Sequence, residues 1–446
     1  MSPTRKARAG LPACKERRAA GKALRNKVSR REQGGWQPAP DRPDVVDALL
    51  AANRGRLPHL LPIKYGRMAA SPFGFFRGAV PVMAADLATL SRTGLTVQIC
   101  GDAHVRNLGA YAAPDGHLVF DINDFDESLP GPWEWDLKRL ATSLVLAGRE
   151  SGNGDKDCGT AVEALVRSYR KGLRKFSEMK VLELAKYEVQ RHVQRGPVCD
   201  IIAKAARATA EDTLKKYTAR RNGARHFVRQ PPLLTPVAPA TGARVMQSLK
   251  EYRESLGADH QVILDAYRPV DVCFKVVGTG SVGVRDYVVL CFGNGLEDPM
   301  FLQVKQELAS AYVAYLPELV FAHQGRRVAE GQHRMQTLSD PFLGWTTIEG
   351  AHYLVRQLRD HKASVDPKEL KGQALEEFAA VAGEVLAKAH ARTGDGAAIS
   401  GYCGTNDRFD QAICQFALAY AQQTERDHEQ LVMAIRRHKI RALRNL

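Results

Sequence analysis

The 446-residue sequence contains no apolar run approaching the roughly 20 residues of a membrane-spanning helix. Its N-terminus is basic but lacks the apolar stretch of a secretory signal. No two of its eight cysteines (Cys14, Cys100, Cys158, Cys199, Cys273, Cys291, Cys403, Cys414) stand in a C-x-x-C spacing, which argues against a zinc ribbon or thioredoxin-type motif. Scattered thiols of this kind are expected to be buried, and with the absent signals they lead to an expected cytoplasmic location. Aromatic residues are only 7%, so a core built on Leu, Val and Ala is expected. No internal repeat is visible. Collagen, coiled coil, membrane protein and secreted disulfide scaffold are therefore excluded.

What is present is the composition of a globular protein, 44% hydrophobic and 25% charged. The length allows about two to four domains. A net charge of +15 favours anionic partners such as nucleotides, nucleic acid or acidic surfaces. The excess is concentrated in residues 1–36, with eleven Lys or Arg against Glu16 and Glu32. Interspersed with glycine, this stretch reads as a flexible basic arm, either a solubilising tail or a weak nonspecific contact for anions or nucleic acid.

Periodicity divides the rest. Residues 37–230 read as a mainly helical lobe, with a helix over 80–91, strands at LTVQIC (95–100) and HLVFDI (117–122), and helical character over 160–220. PPLLTPVAPATG (231–242) reads as a Pro-rich linker. Residues 243–366 read as a β-rich lobe. Strand-like runs flank a glycine loop, FLQVK gives a third strand, a helix is expected over 318–338, and FLGWTTIEGAHYLVRQL forms a hairpin turning at Glu349-Gly350. Residues 367–446 read as C-terminal helices packing on the helical lobe, apart from a glycine-rich break at 394–404.

The chemistry concentrates in GDAHVRNLGAYAAPDGHLVFDINDFDES. Asp102, His104 and Asn107 follow one strand, and Asp121, Asp124 and Asp126 lie at the end of the next. Neighbouring strands would bring these hard oxygen ligands together, a set suited to Mg²⁺ completed by phosphate and water. The bland alternative is a pair of solvated acidic turns. His104 reads as a loop-shaping residue or a ligand. Asp136, at the start of a helix, reads as a cap that supports the loop.

GTGSVG (278–283) lies between two strand-like runs rather than between a strand and a helix, which disfavours a dinucleotide fold. A glycine loop in a hairpin can instead offer phosphates the backbone N–H groups around Gly278, Gly280, Ser281 and Gly283. Lys305 ends the next strand, and the following helix carries Glu330. Lys in a strand paired with Glu in a helix is how protein kinases hold nucleotide phosphates. Glu307 and Glu318 are alternatives to Glu330, and a surface lysine is the alternative for Lys305.

GDAHVRN followed by NDFDE and then Asp136-Leu137 resembles the catalytic and metal-binding pair of aminoglycoside-phosphotransferase-type kinases. That resemblance implies Asp102 as catalytic base, Asn107 and Asp124 as metal ligands, and Asp126 as an auxiliary acid near the metal. The order differs, because here the glycine loop, Lys305, Glu330 and hinge-like YLVRQLRD follow the catalytic loop. The implied fold is α+β, a kinase-like two-lobed fold that is circularly permuted. Over nearly the whole chain, RMAASPFGFFRG, GDAHVRNLG, FDINDFDESLPGPWEWDLKRLATS, VVGTGSVG, FLQVK, YLVRQLRDHKAS and LAKAHARTGD resemble a bacterial family known as domain of unknown function 2252. The expected function is an ATP- and Mg²⁺-dependent phosphotransferase with a nucleotide and an unknown hydroxyl acceptor as partners. A metal-dependent phosphoesterase and a non-catalytic, pseudokinase-type nucleotide-binding protein are the alternatives.

Overall fold

The computed structural model describes residues 12–443 except 208, 209, 222, 277 and 359–361. It is a mixed α+β molecule with several antiparallel sheets. The first strands are short: β1 (Thr96–Ile99), β2 (Leu108–Ala112), β3 (Leu118–Ile122) and β4 (Leu129–Pro132). β5 (Thr218–Arg221) and β6 (Ala224–Phe227) form a small ribbon. The later strands are β7 (Leu234–Pro236), β8 (Arg268–Lys275), β9 (Asp286–Phe292), β10 (Pro299–Gln306), β11 (Gly344–Ile348), β12 (Ala351–Gln357) and β13 (Lys362–Ser364).

One six-stranded antiparallel sheet runs in the order β11-β12-β10-β9-β8-β7. β9 is buried along its whole length, as its Val-, Leu- and Phe-rich run requires of a central strand. The hairpin of β11 and β12 turns where expected. Glu349 (φ 51°) and Gly350 (φ 76°) both take the left-handed conformation of a two-residue turn matched to strand twist. Helices Pro239–Glu254 and Gln324–Met335 pack on this sheet through Val245, Tyr252 and Val328.

The helical part is built on Trp133–Glu150, buried almost throughout, with Asp155–Glu178, Gln373–Thr393 and Arg408–Arg436 around it. Val162, Leu165, Tyr169 and Leu173 recur at helical spacing and face Phe378, Ala382 and Leu386. The contact is close because Gly383 lies against the Leu165 carbonyl, where a Cβ would not fit. Among the described residues no helix is long and apolar enough to cross a membrane.

Several expectations are corrected. The described part of the expected arm is not free: Cys14–Ala23 is a helix packed on Gly396–Cys403, with Gly21 against Ala398 and Gly401 against Arg18. Residues 1–11 lie outside the described residues. The stretch 231–242 is not a linker; it supplies edge strand β7 and the first turn of Pro239–Glu254, where Pro is tolerated for want of an N–H partner. The helix expected over 318–338 covers only Gln324–Met335. The helical stretch 160–220 is broken between 186 and 196 and ends in β5. The break expected over 394–404 is itself mostly helix, Gly396–Cys403, capped by Asp395.

Candidate active site

Nested strand pairing explains why the two acidic loops meet. β1 pairs with β4 and β2 with β3, so Ile99 stands opposite Leu129 and Leu108 opposite Ile122. The loops 100–107 and 123–128 therefore leave adjacent strand ends side by side. The Asn123 N–H donates to the Asn107 carbonyl at 2.9 Å.

The first loop is fixed from several directions. Asp136, in the first turn of Trp133–Glu150, accepts the N–H groups of Cys100 (2.8 Å) and Gly101 (2.9 Å). It thus anchors the loop rather than capping its own helix. Tyr312 donates to the Gly101 carbonyl at 2.7 Å. Arg139 donates Nε (2.8 Å) and Nη2 (2.6 Å) to Asp102 Oδ1, which leaves Oδ2 toward the cavity. Burial pushes the Asp102 carboxyl up, against the pull of Arg139. His104 is buried, with Nε2 3.7 Å from Asp102 Oδ2 and its ring edge-on to Phe73. Burial, then the nearby Arg77 and Arg139, hold its pKa well below the usual value, so the imidazole is neutral. Its contacts are those of a residue that shapes the loop. Asn107 donates Nδ2 to the Asp102 carbonyl at 2.9 Å, leaving Oδ1 as its ligand atom.

The second loop faces the sheet. Lys305 of β10 forms an ion pair with Asp126 and stands 3.8 Å from Glu307. Ser281 of the glycine loop donates to Asp126 Oδ2 at 3.1 Å. Burial works against the Asp126 charge, but Lys305 overrides it and holds the carboxyl well below the usual range. Asp124 moves the other way: burial, then the Asp126 charge, push it up. Burial and Asp126 likewise push Glu307 well up.

The glycine loop joins β8 to β9 and is held by cations from the helical part. Arg56 donates to the carbonyls of Gly280 and Val282, each at 2.7 Å, and Arg67 donates to that of Gly278. Gly278 (φ 69°) and Gly283 (φ 99°) have conformations that side chains disfavour. The Gly283 carbonyl accepts the Leu57 N–H at 2.7 Å.

Two openings flank this loop. A cavity of about 760 Å³ is lined by Asp102, His104, Asn107, Asp124, Asp126 and the loop residues Gly278, Gly280 and Ser281. A second, of about 470 Å³, is lined by Lys305, Gln303, Arg356 and Gln357 and shares Asp124, Gly278 and Ser281 with the first. The expected residues thus converge, with two exceptions. Glu330 points to solvent and pairs with Arg326 (2.7 Å) and Arg334 (3.2 Å), so it is not the partner of Lys305. Asp121 also turns away, into a buried pair with Lys388.

The helix expected to contribute Glu330 contributes Arg327 instead. Its guanidinium donates to the carbonyls of Asp126 (2.7 Å), Leu308 (3.0 Å) and Ser128 (2.6 Å), tying the 123–128 loop to the segment after Lys305. In GRRVAEG the two arginines are adjacent, and only the phase of the helix decides which one turns inward.

Among the described residues no three His, Cys, Asp or Glu side chains form a metal cage. Asn107 Oδ1 and Asp124, whose carboxylate has no ion pair among the described residues, suit instead a hard cation that takes few protein oxygens and completes its shell with phosphate and water.

No curated protein and no solved structure is detectably similar to the chain. Residues 56–434 match the family described as "Uncharacterized protein conserved in bacteria (DUF2252)", and the chain belongs to that family.

Proposed function

We propose that this protein is an ATP- and Mg²⁺-dependent phosphotransferase acting on a hydroxyl group of a small molecule or protein, with a kinase-like, circularly permuted fold. The observation that carries the reading is the Lys305–Asp126 ion pair. It joins segments 179 positions apart, and both belong to motifs that kinases use to hold a nucleotide. The sheet around Lys305 supports the same reading: glycine-loop hairpin β8-β9, lysine strand β10, helix Gln324–Met335, and hairpin β11-β12 leading to the hinge-like segment.

Permutation has its own support. In an unpermuted order, the chain after the hinge would lead into the strand before the catalytic loop. Helix Gln373–Thr393, which follows β12 and β13, ends beside β1. Thr393 Oγ1 accepts the Gln98 N–H at 3.2 Å, and a Cβ on Gly394 would sit 2.8 Å from the Thr96 carbonyl oxygen.

Each residue then has a task. Lys305 and the loop N–H groups hold the phosphates. Asn107 and Asp124 would hold Mg²⁺, which when bound neutralises charge on the transferred group. Asp102, oriented by Arg139, receives the acceptor hydroxyl proton through Oδ2. The acceptor oxygen forms a bond to the γ-phosphorus, the bond to the β–γ bridging oxygen breaks, and ADP leaves with that oxygen. Such chemistry needs positioning and charge neutralisation more than covalent catalysis.

The test is Mg-ATP binding by calorimetry together with ATP turnover. The unmutated protein is expected to bind Mg-ATP, Asp124→Ala to lose binding, and Asp102→Asn to bind but lose turnover. Absence of Mg-ATP binding by the unmutated protein would refute the reading. Binding by the unmutated protein with no turnover in any acceptor screen would favour the non-catalytic nucleotide-binding alternative. A two-metal phosphoesterase finds no support in the ligand set, because the one histidine of the cluster is buried against Phe73 and no three His, Cys, Asp or Glu side chains among the described residues group to hold a metal.

A further inference from the structure

Part of the wall of the larger cavity has no task in the transfer chemistry. It is formed by helices Val45–Ala51, Leu61–Ala69, Pro72–Gly78 and Val80–Ala88, and it is lined by small apolar side chains such as Ala48, Ala51, Pro81 and Ala85. Among them lies Lys64, only 1% exposed, which lines the cavity without a hydrogen bond or an ion pair among the described residues. The Tyr65 ring centroid lies 6.0 Å from Nζ, at the outer edge of a cation–π contact, and repays only a small part of the cost of a buried ammonium. Its charged neighbours are Arg56, of like sign, and Glu127, whose Oε2 already accepts the Ala311 N–H at 2.7 Å. Arg77 lines the same cavity, and its buried Nε has no partner. Its charged surroundings are Arg106, Asp102, Asp124 and Arg67, and Asp102 is already engaged by Arg139.

An ammonium taken out of water without an anion is costly, and a guanidinium beside it adds to the cost. A core position would be cheaper as Met or Leu. The arrangement makes physical sense if the missing anion arrives with a ligand. The cavity has the size of small-molecule sites, and its alanine-rich wall leaves room for an apolar body.

We infer that Lys64, assisted by Arg77, is the anion-receiving end of an acceptor pocket, and that the acceptor is a small, partly apolar hydroxyl compound bearing a carboxylate or phosphate. This rests on the phosphotransferase reading only for the word acceptor; the anion site stands on the cavity itself. A protein acceptor is disfavoured, because the cation sits on an enclosed wall rather than on an open surface.

The probes are benzoate, phenyl phosphate and the neutral benzyl alcohol. Each is titrated calorimetrically into the full chain, into Lys64→Met and into Lys64→Arg. At least one anion is expected to bind the unmutated protein about tenfold or more tightly than benzyl alcohol, as a charged hydrogen bond would give. Which anion binds decides between carboxylate and phosphate. Lys64→Met should abolish the preference and Lys64→Arg should keep it. Mg-ATP titrated into the same three proteins should bind equally. Equal binding of neutral and anionic probes, no anion binding at millimolar concentration, or an undiminished preference in Lys64→Met would each overturn the inference. Anion binding without any Mg-ATP binding would instead leave the anion site intact and remove the phosphotransferase reading.

Discussion

Two lysine–aspartate pairs are buried in this molecule, and they behave as opposites. Lys388, from helix Gln373–Thr393, meets Asp121 of β3 with side chains 2% and 4% exposed. Lys305 meets Asp126 with side chains 4% and 25% exposed, at the edge of a cavity. Burial lowers the Lys388 pKa, with Asp121 opposing it. Around Lys305 the balance is reversed: Asp126, Glu307 and Asp124 all favour its charge and together outweigh burial. One pair closes its charges and ties a helix to a strand. The other sits in an excess of carboxyl groups, open on one side, where a further cation is still wanted. Burial alone does not distinguish the two pairs; the unclosed charge does.

Removing one partner from each pair should separate the two. Lys388→Met leaves Asp121 charged in the core, and a loss of about 3–5 kcal/mol is expected in urea unfolding. Adding Asp121→Leu should recover much of it, since a well-packed apolar pair is often as stable as a buried ion pair. Lys305→Met should cost less stability, because water reaches Asp126 through the cavity, yet it should weaken Mg-ATP binding by roughly 100-fold, in line with the loss of a close buried charge contact. Equal stability losses with no change in nucleotide binding would erase the contrast.

Lys64 sharpens the comparison, being a buried lysine with neither a closed nor an excess set of acids. Burial and Arg56 lower its pKa from 10.5 to about 7. The unfolded chain therefore holds one proton more than the folded chain between about pH 7 and 10.5. Its destabilising effect is full below pH 7 and fades as pH rises across that window. Lys64→Met should be more stable than the unmutated protein at pH 6, with the gap closing toward pH 10. A gap independent of pH would show that this ammonium is not desolvated in the folded state. Smallest of all should be the effect of Glu330→Gln, within about 0.5 kcal/mol in stability and without effect on Mg-ATP affinity, since Glu330 pairs only with surface arginines.

The legible parts of the site were those written locally. Asp102, Asn107 and Asp124 stand at strand ends that period-two patterning reveals, and the glycine loop is bracketed by two β runs. What could not be read depended on helix phase or on partners far along the chain. The inward turn of Arg327 rather than Arg326, which pairs with Glu330 instead, is a matter of one step on a helix. The pairing of Lys388 with Asp121 spans 267 positions, and Arg139 meets Asp102 only because Trp133–Glu150 runs beneath the loop. The basic character of 1–36 suggested a free arm, but within its described part the small residues of Cys14–Ala23 allow the backbone to nest against Gly396–Cys403. Prolines at 231–242 suggested a linker, though edge strands and helix starts also accept them.

The most direct test is calorimetric titration of Mg-ATP into the unmutated chain, Lys305→Met and Lys388→Met/Asp121→Leu, each first shown to be folded by circular dichroism. The expected result is binding of equal affinity by the unmutated chain and by the double variant, and binding roughly 100-fold weaker by Lys305→Met. Equal affinity in all three, or none in the unmutated chain, would contradict a nucleotide site built across the Lys305–Asp126 pair.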